Sequence, residues 1–132
     1  MTVSRRPVFH PHMQRLLLKS KIHRAMVTDA IVDYEGSIEI PRDMMDEVGL
    51  WPGEKVLIGS ATSGNRLETY VLEGAPGTRK ILVNGGAALL IGEGERITIM
   101  AFAWSETQIG PQKIVCDEEN NIIRRGSGQA KS

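Results

Sequence analysis

Four short polar stretches carry the residues that could do chemistry. They are residues 21–24, 34–37, 66–70 and 84–88. The second stretch ends in Gly36-Ser37, where a hydroxyl follows a glycine in a tight turn and can attack the preceding carbonyl. The dipeptide alone is weak evidence, because Gly-Ser also occurs at positions 59–60 and 126–127. An isolated copy is most simply a β-turn, so the setting of Ser37 decides how it is interpreted.

The other stretches supply side chains that also have ordinary structural interpretations. Arg66 could bind a carboxylate through two parallel hydrogen bonds, although a solvated arginine beside a hairpin is nearly as good a reading. Tyr70, taken alone, is most simply a strand tyrosine that covers the core. Lys21 and His23 could be surface residues of a basic segment. The small-residue turn that begins at Asn84 could bind an anion through its backbone N–H groups.

The composition is typical of one domain with an aliphatic core. The chain has 132 residues, of which 41% are apolar and only 5% aromatic, and this length suits a single domain. Sixteen basic residues balance sixteen acidic ones, which argues against a nucleic-acid-binding protein. No apolar stretch is long enough to span a membrane. We therefore expect neither nucleic acid nor a membrane as a partner.

The single cysteine and the two ends of the chain indicate the compartment and the domain limits. Cys116 cannot form an internal disulfide, which favours a reducing compartment, and its apolar neighbours predict a packed thiol. No hydrophobic stretch follows Arg5-Arg6, so we reject an export signal and expect a cytoplasmic protein. We predict a disordered extension at residues 1–12, a folded domain at 13–118 and a mobile tail at 119–132.

The elements that must position these side chains are mostly short strands. Residues 14–28 alternate as a strand does, with a slip near His23-Arg24 that suits a β-bulge. Glu35-Gly36 is predicted to be a turn. Residues 41–49 are typical of a short helix that Gly49 closes, and residues 84–90 are expected to form a second helical turn.

A weak internal repeat relates residues 53–58 to residues 94–99. A short helix candidate precedes each copy, so we expect two similar half-units with pseudo-twofold symmetry. Six to eight short strands with few helices are best closed into a barrel, because closure removes exposed sheet edges. The predicted fold is therefore mainly β, a barrel of six to eight strands with short helices.

Taken together, the motifs resemble those of the pyruvoyl-dependent aspartate 1-decarboxylase family. They occur in the same order and at compatible spacing over residues 13–115, which is most of the chain. The resemblance implies a double-psi β-barrel. It also implies self-cleavage between Gly36 and Ser37, which would divide the chain into a β chain of residues 1–36 and an α chain of residues 37–132.

The cofactor that the resemblance implies is a pyruvoyl group derived from Ser37. Attack of the Ser37 hydroxyl on the Gly36 carbonyl gives an ester, elimination leaves dehydroalanine, and hydrolysis leaves the pyruvoyl end. Its ketone forms a Schiff base with a substrate amine, and the group accepts electrons as carbon dioxide leaves. Neither a metal nor pyridoxal phosphate is then needed, and neither is expected.

The resemblance also implies roles for residues that match its motifs. Tyr70 is implied as the proton donor, and Thr69 as a residue that assists self-cleavage and contacts substrate. Since neighbours on a strand face opposite sides, both can serve only from different walls of the pocket or across a bulge. The implied substrate-binding residues are Lys21, His23, Arg66, Thr69, Asn84, Gly85, Gly86 and Ala87.

Two positions depart from the family pattern. Gly86 stands where the family usually has alanine, which loosens the turn. Residues 74–78 contain no arginine, although many members carry one in this loop, so its contribution to substrate binding or subunit contacts is in question.

The implied activity is decarboxylation of L-aspartate to β-alanine and carbon dioxide, a carbon–carbon lyase reaction that feeds pantothenate and coenzyme A synthesis. The family forms a homotetramer with sites between subunits, and processing is either spontaneous or assisted by a maturation helper. Two alternatives stay open. One is a pyruvoyl decarboxylase for another acidic amino acid, such as glutamate, and the other is an unprocessed double-psi barrel that acts as a binding module.

Overall fold

The computed structural model describes residues 12–126, which form nine strands, one α-helix and one 3₁₀-helix. The expectations for residues 1–11 and 127–132 lie outside the described residues. The strands are β1 (Arg15–Met26), β2 (Asp29–Ile31), β3 (Ser37–Pro41), β4 (Lys55–Ser60), β5 (Arg66–Gly74), β6 (Leu82–Asn84), β7 (Arg96–Ser105), β8 (Gln112–Cys116) and β9 (Ile122–Gly126). The helix α1 is Arg42–Val48 and the 3₁₀-helix is Gly85–Leu89.

The strands form one sheet that closes on itself. Their order is β2-β6-β3-β5-β4-β7-β1-β8-β9, so β1 and β2 lie towards opposite ends of it. Only Val27 and Thr28 separate these two strands in the chain, and Thr28 donates its backbone N–H to the Ile81 carbonyl (2.9 Å). The sheet must therefore curl until its ends meet, which confirms the mainly β barrel.

The ninth strand lies where the sequence predicted a mobile tail. β9 pairs antiparallel with β8, and Arg125 forms an ion pair with Glu47 of α1 (2.8 Å). Its sequence, Ile-Ile-Arg-Arg-Gly, has too few apolar residues to predict a strand. The strand forms through backbone hydrogen bonds to β8, which the sequence of the segment does not reveal. This strand takes the count above the expected six to eight.

The internal repeat corresponds to a symmetric pairing. Residues 53–58 lead into β4 and residues 94–99 into β7, and these strands pair antiparallel with Ile58 opposite Ile99. Those two isoleucines occupy equivalent positions of the repeat, so the approximate twofold axis passes between them. The expected pseudo-twofold relation between the half-units is therefore present.

The turns that open the two repeats share the same hydrogen bonds. Gly53 has φ +85° and donates to the Val71 carbonyl (2.7 Å), while Gly94 has φ +86° and donates to the Val27 carbonyl (2.9 Å). Each valine returns a bond to the glutamate that follows the glycine, at 3.0 Å in both halves. The two half-units thus repeat each other at the level of individual backbone groups.

The predicted bulge in β1 is confirmed. The pairing of β1 with β7 shifts between Ile22 and Ala25, and Arg24 has φ +63°. The extra residue lets Ile22 and Ala25 both reach the core, where neither is exposed, while Arg24 points outward. The bulge therefore reconciles a basic segment with an apolar barrel interior.

The core is aliphatic, as the composition predicts. α1 packs Met44, Met45 and Val48 into it and ends at Gly49, whose φ is +72°. Cys116 is fully buried, and this burial raises the pKa of its thiol to about 11. The thiol is therefore a packing group, as expected.

A buried asparagine ties the end of β1 to two loops. Asn120 accepts a hydrogen bond from Met26 N (2.7 Å) and donates to the carbonyls of Met26 (2.9 Å) and Arg79 (3.0 Å). It has φ +61° and is 1% exposed. Asparagine tolerates this left-handed backbone, so one residue supplies both the turn and three internal bonds.

We expect Asn120→Gly to lower the free energy of unfolding by about 2–3 kcal/mol. Glycine accepts the positive φ, so the loss reports mainly the three hydrogen bonds and the buried Met26 groups left without partners. Thermal unfolding should show a midpoint lower by roughly 10 °C. Glu119→Gly, at the exposed neighbouring position, is the control and should change the midpoint far less. Equal midpoints for the two variants would contradict the assignment.

Candidate active site

Ser37 is a polar residue buried at the start of β3. Its side chain is not exposed at all. The Ser37 hydroxyl donates to the Glu35 carbonyl (3.1 Å) and accepts a hydrogen bond from Asn84 Nδ2 (3.1 Å). The antiparallel pairing of β3 with β6 sets Ser37 opposite Asn84. Two of the sequence-predicted residues are thus in direct contact, although 47 positions separate them.

Gly85 packs against the peptide that precedes Ser37. A Cβ on Gly85 would lie 2.6 Å from both the N and the Cα of Gly36 and 2.8 Å from the Tyr34 carbonyl oxygen. Gly85 also has φ +75°, which side chains disfavour. Only glycine therefore fits here, and it brings the 84–85 turn into contact with the backbone of the Gly36-Ser37 turn.

The Asn84 side chain has one unused polar atom. Asn84 is 2% exposed, and its Oδ1 finds no hydrogen-bond partner among the described residues. A buried carbonyl oxygen without a donor costs about 1–3 kcal/mol. This atom lies beside the Ser37 hydroxyl and is available to a donor that enters the site.

The rest of the small-residue turn lies further out. Gly86 is exposed, and a Cβ there would meet nothing within 4 Å. Ala87 is partly buried and packs against the core. Of the four turn residues predicted from the sequence, the structure gives contacts to the Gly36-Ser37 turn for Asn84 and Gly85.

Tyr70 lies at the same end of the sheet as Ser37. β3 and β5 run parallel with Ile38 opposite Val71, and both are fully buried. Ser37 and Tyr70 each come one residue earlier, so alternation turns both to the opposite face of the sheet. Strand register therefore brings Tyr70 towards the serine.

Thr69 faces away from Tyr70. The pairing of β4 with β5 is uninterrupted from Lys55–Tyr70 to Gly59–Arg66, so no bulge lies at this point. Thr69 is opposite Val56, which is 1% exposed. Of the two ways in which Thr69 and Tyr70 could both serve one site, only a role from different walls is compatible with this register.

Arg66 begins β5 with an exposed side chain. Its guanidinium carbon lies 3.9 Å from where a Cβ on Gly59 would be. Across residues 12–126, neither a hydrogen bond nor an ion pair holds this side chain. The Arg66 charge is therefore available to an anion.

Lys21 and His23 lie elsewhere on the barrel. β1 is four places from β3 in the sheet order, and both side chains line a separate cavity of about 480 Å³. The His23 ring is bonded to Thr98 Oγ1 (3.1 Å). Within one chain, the structure does not bring these two residues to Ser37.

The environment of His23 is strongly positive. Burial lowers the pKa of His23 below its ordinary value, and the charges of Lys21, Arg24, Arg124 and Arg96 lower it further. The imidazole is therefore held neutral at pH 7, because a proton on it would add to a cluster of cations.

Two contributions could not be identified from the sequence. The Glu35 carbonyl accepts a hydrogen bond from the Ser37 hydroxyl. Because this acceptor belongs to the backbone, no sequence motif could reveal it. Arg124 lines the same cavity as Lys21 and His23, but its segment was expected to be a tail. Within residues 12–126, no group of three or more potential metal ligands is present, and no helix is long and apolar enough to cross a membrane.

These observations define a class: a small closed β-barrel with a site centred on a buried serine that follows a glycine in a turn. The family is established by comparison with known proteins. The chain belongs to the aspartate decarboxylase family, whose model matches residues 13–123. It is therefore a member of a decarboxylase, or lyase, family, and its fold is the mainly β one that the sequence predicts.

Curated relatives agree with this assignment. The aspartate 1-decarboxylase of Thermotoga sp. (strain RQ2) is 44% identical over 112 residues, which cover 85% of this chain and 98% of that protein. The one from Thermosipho africanus is 42% identical over 84% of this chain and 94% of that protein, and the one from Myxococcus xanthus is 42% identical over 90% and 92%. A crystal structure of a rationally designed protein aligns with 60% of this chain and 91% of its own, at a TM-score of 0.42 and 11% identity, too weak a similarity to add to the assignment.

Proposed function

We propose that this chain cleaves itself between Gly36 and Ser37 and then decarboxylates L-aspartate to β-alanine and carbon dioxide. Family membership supports the reaction. The single observation that carries the proposal is the buried Ser37 hydroxyl, which is bonded to Asn84 and lies next to a peptide against which Gly85 packs. A structural serine in a surface turn would need neither feature.

The residues around Ser37 fit a pyruvoyl group. Asn84 offers Nδ2 as a donor to an oxygen at the Ser37 position. Its Oδ1, which has no partner in the part of the chain that the structure describes, is offered as an acceptor. Gly85 has no Cβ, so the backbone of Gly36 can pack directly against it beside Ser37. When formed, the pyruvoyl group supplies the electron sink for loss of carbon dioxide. With this group, the proposed enzyme needs neither a metal nor pyridoxal phosphate.

Self-cleavage uses atoms of the chain itself. The Ser37 Oγ attacks the Gly36 carbonyl carbon, the C–N bond breaks, and the proton passes from Oγ to the freed amine. Loss of the Ser37 Cα proton then breaks the Cβ–Oγ bond and releases the Gly36 carboxylate. Water then hydrolyses the resulting dehydroalanine. Its nitrogen leaves as ammonia, and a ketone remains. The Asn84 Nδ2 donor lies beside Oγ. In the elimination step it stabilises this oxygen, which gains negative charge as it leaves with the Gly36 carboxylate.

A second Gly-Ser pair shows what Ser37 has that an ordinary serine lacks. Gly59 and Ser60 end β4, and the Ser60 hydroxyl donates to the Glu95 carboxylate (2.6 Å). The same Oγ accepts the backbone N–H groups of Thr62 and Ser63, each at 3.1 Å. The Ser60 hydroxyl is fully engaged, so we expect no cleavage there.

The proposed active site takes residues from two subunits of a homotetramer. Arg66, whose guanidinium has no partner within residues 12–126, binds a substrate carboxylate, and Lys21 and His23 come from a neighbouring chain. This arrangement accounts for the distance between β1 and β3 within one subunit. Tyr70 donates the proton that the product carbon receives. Thr69, Asn84, Gly85, Gly86 and Ala87 complete the walls.

The proposal also covers the compartment, the pathway, the processed chains and the domain limits. The enzyme is proposed to act in the cytoplasm, in pantothenate and coenzyme A synthesis. Processing gives a β chain of residues 1–36 and an α chain of residues 37–132, either spontaneously or with a maturation helper. Residues 13–118 carry the catalytic domain.

We expect Gly85→Ala to block self-cleavage almost completely. A methyl group would meet backbone atoms of Gly36 at 2.6 Å, and alanine is also strained at φ +75°. The Gly36-Ser37 turn must therefore move away from its reactive position. Denaturing electrophoresis should show mostly intact chain. Gly86→Ala, where the added Cβ meets nothing within 4 Å, is the matched control and should cleave as fully as the unsubstituted chain.

Intact mass under denaturing conditions, followed by product analysis, tests the proposed function. Two fragments that divide at Gly36-Ser37, with a pyruvoyl-terminated α chain, and release of carbon dioxide from L-aspartate are the expected results. Faster release from L-glutamate would point to a decarboxylase for another acid. A chain that stays whole after prolonged warm incubation would point to a binding module.

A further inference from the structure

The cavity beside β1 is lined by cations. Its volume is about 480 Å³, within the range of small-molecule sites. The charged or titratable lining residues are Lys21, His23, Lys113, Arg124 and Arg125, and the other lining residues are Ile114, Val115 and Gly126. Its described lining contains no carboxylate. Such a cavity attracts a small anion.

The register of three strands explains why these groups converge. His23 pairs with Val115 in the parallel β1–β8 ladder, and Val115 pairs with Arg124 in the antiparallel β8–β9 ladder. Lys21 pairs with Lys113 two residues earlier. Residues two apart on a strand share a face, so Lys21, His23 and Arg124 all turn to the same side of the sheet.

Arg125 also lines the cavity, but its guanidinium is bound by a carboxylate of α1. It pairs with Ile114, which is 1% exposed, and its guanidinium binds Glu47 at 2.8 and 3.1 Å. Its charge is already matched. Arg124 makes no hydrogen bond or ion pair within residues 12–126, and its charge contributes to the lowered pKa of His23. Of the two neighbouring arginines, only Arg124 has a charge left for a ligand.

We propose that Arg124 is a further substrate-binding residue, which holds one carboxylate of the dicarboxylic amino acid together with Lys21. This inference rests on the proposed function, in which Lys21 and His23 join the site of a neighbouring subunit. A guanidinium suits the task because its planar fork can bind a carboxylate through two hydrogen bonds. Arg66 then takes the other carboxylate, and the pair of arginines selects an acid with two.

Steady-state kinetics with L-aspartate test the role of Arg124. We expect Arg124→Gln to raise KM about tenfold to a hundredfold, the effect of losing charge-assisted hydrogen bonds, with kcat changed by less than about twofold. Arg124→Lys should recover part of the loss. Lys80→Gln removes one exposed positive charge that does not line this cavity, so its KM should equal that of the unsubstituted enzyme.

The outcomes separate this inference from the proposed function. A KM for Arg124→Gln equal to that of Lys80→Gln overturns the role of Arg124 while the decarboxylase stands. An unsubstituted enzyme that cleaves but releases no carbon dioxide from L-aspartate overturns both. If Arg124→Gln fails to cleave, calorimetric binding of succinate to Ser37→Ala chains with and without the second substitution decides. Binding at least tenfold weaker without Arg124 supports the role, and equal binding overturns it.

Discussion

Ser37→Ala is expected to leave a single uncut chain of 14.5 kDa with no decarboxylase activity. The substitution removes the hydroxyl that is proposed to attack the Gly36 carbonyl, so we expect neither the two fragments nor the pyruvoyl end to form. The structural cost is small, since the change leaves Asn84 Nδ2 without its acceptor, a loss of about 1–3 kcal/mol. The variant should therefore fold.

The measurement is the intact mass of the denatured protein, together with release of carbon dioxide. Ser60→Ala is the matched control, because it changes the serine of another Gly-Ser pair. It should cleave at Gly36-Ser37 as before. Fragments from Ser37→Ala that still divide at this point would refute self-cleavage by this serine.

Tyr70→Phe is expected to cleave normally but to lose kcat by about 100- to 10,000-fold, the usual contribution of a general acid. Phenylalanine preserves the ring and removes only the hydroxyl that would donate a proton. Tyr70 is partly buried on β5, so its removal should affect folding little.

Two readouts on the same variant distinguish chemistry from structure. The cleaved fraction should match that of the unsubstituted enzyme, and KM should change by less than about threefold while kcat falls. A variant that retains full kcat would assign the proton transfer to another group. A variant that fails to cleave would instead give Tyr70 a role in processing.

The fold could be predicted where local patterns decide structure. The bulge at His23-Arg24, the helix closed by Gly49 and the repeat of residues 53–58 were all visible in the sequence, because each depends on short-range periodicity or on one glycine. β9 could not be predicted, since its pairing with β8 and the Arg125–Glu47 ion pair are long-range.

The candidate site could also be predicted only in part. The motifs identified Ser37, Asn84 and Gly85, but only the structure gives the 2.6 Å approach that makes Gly85 irreplaceable. Thr69 illustrates the opposite case. The sequence allowed a bulge beside it, and the uninterrupted β4–β5 register removes that choice. Contacts between distant strands depend on the strand order and register of the sheet, which no local pattern encodes.

Cleavage between β2 and β3 would change how the protein refolds after denaturation. The small fragment would contain β1, which lies between β7 and β8, and β2, which pairs with β6. The large fragment would hold β1 on both sides and β2 on one side, so the small fragment could leave only if the sheet opened around β1. A precursor could refold alone, but separated fragments would have to meet in solution, and recovery would depend on concentration. Heating should therefore damage the mature enzyme irreversibly under conditions from which the uncut chain recovers.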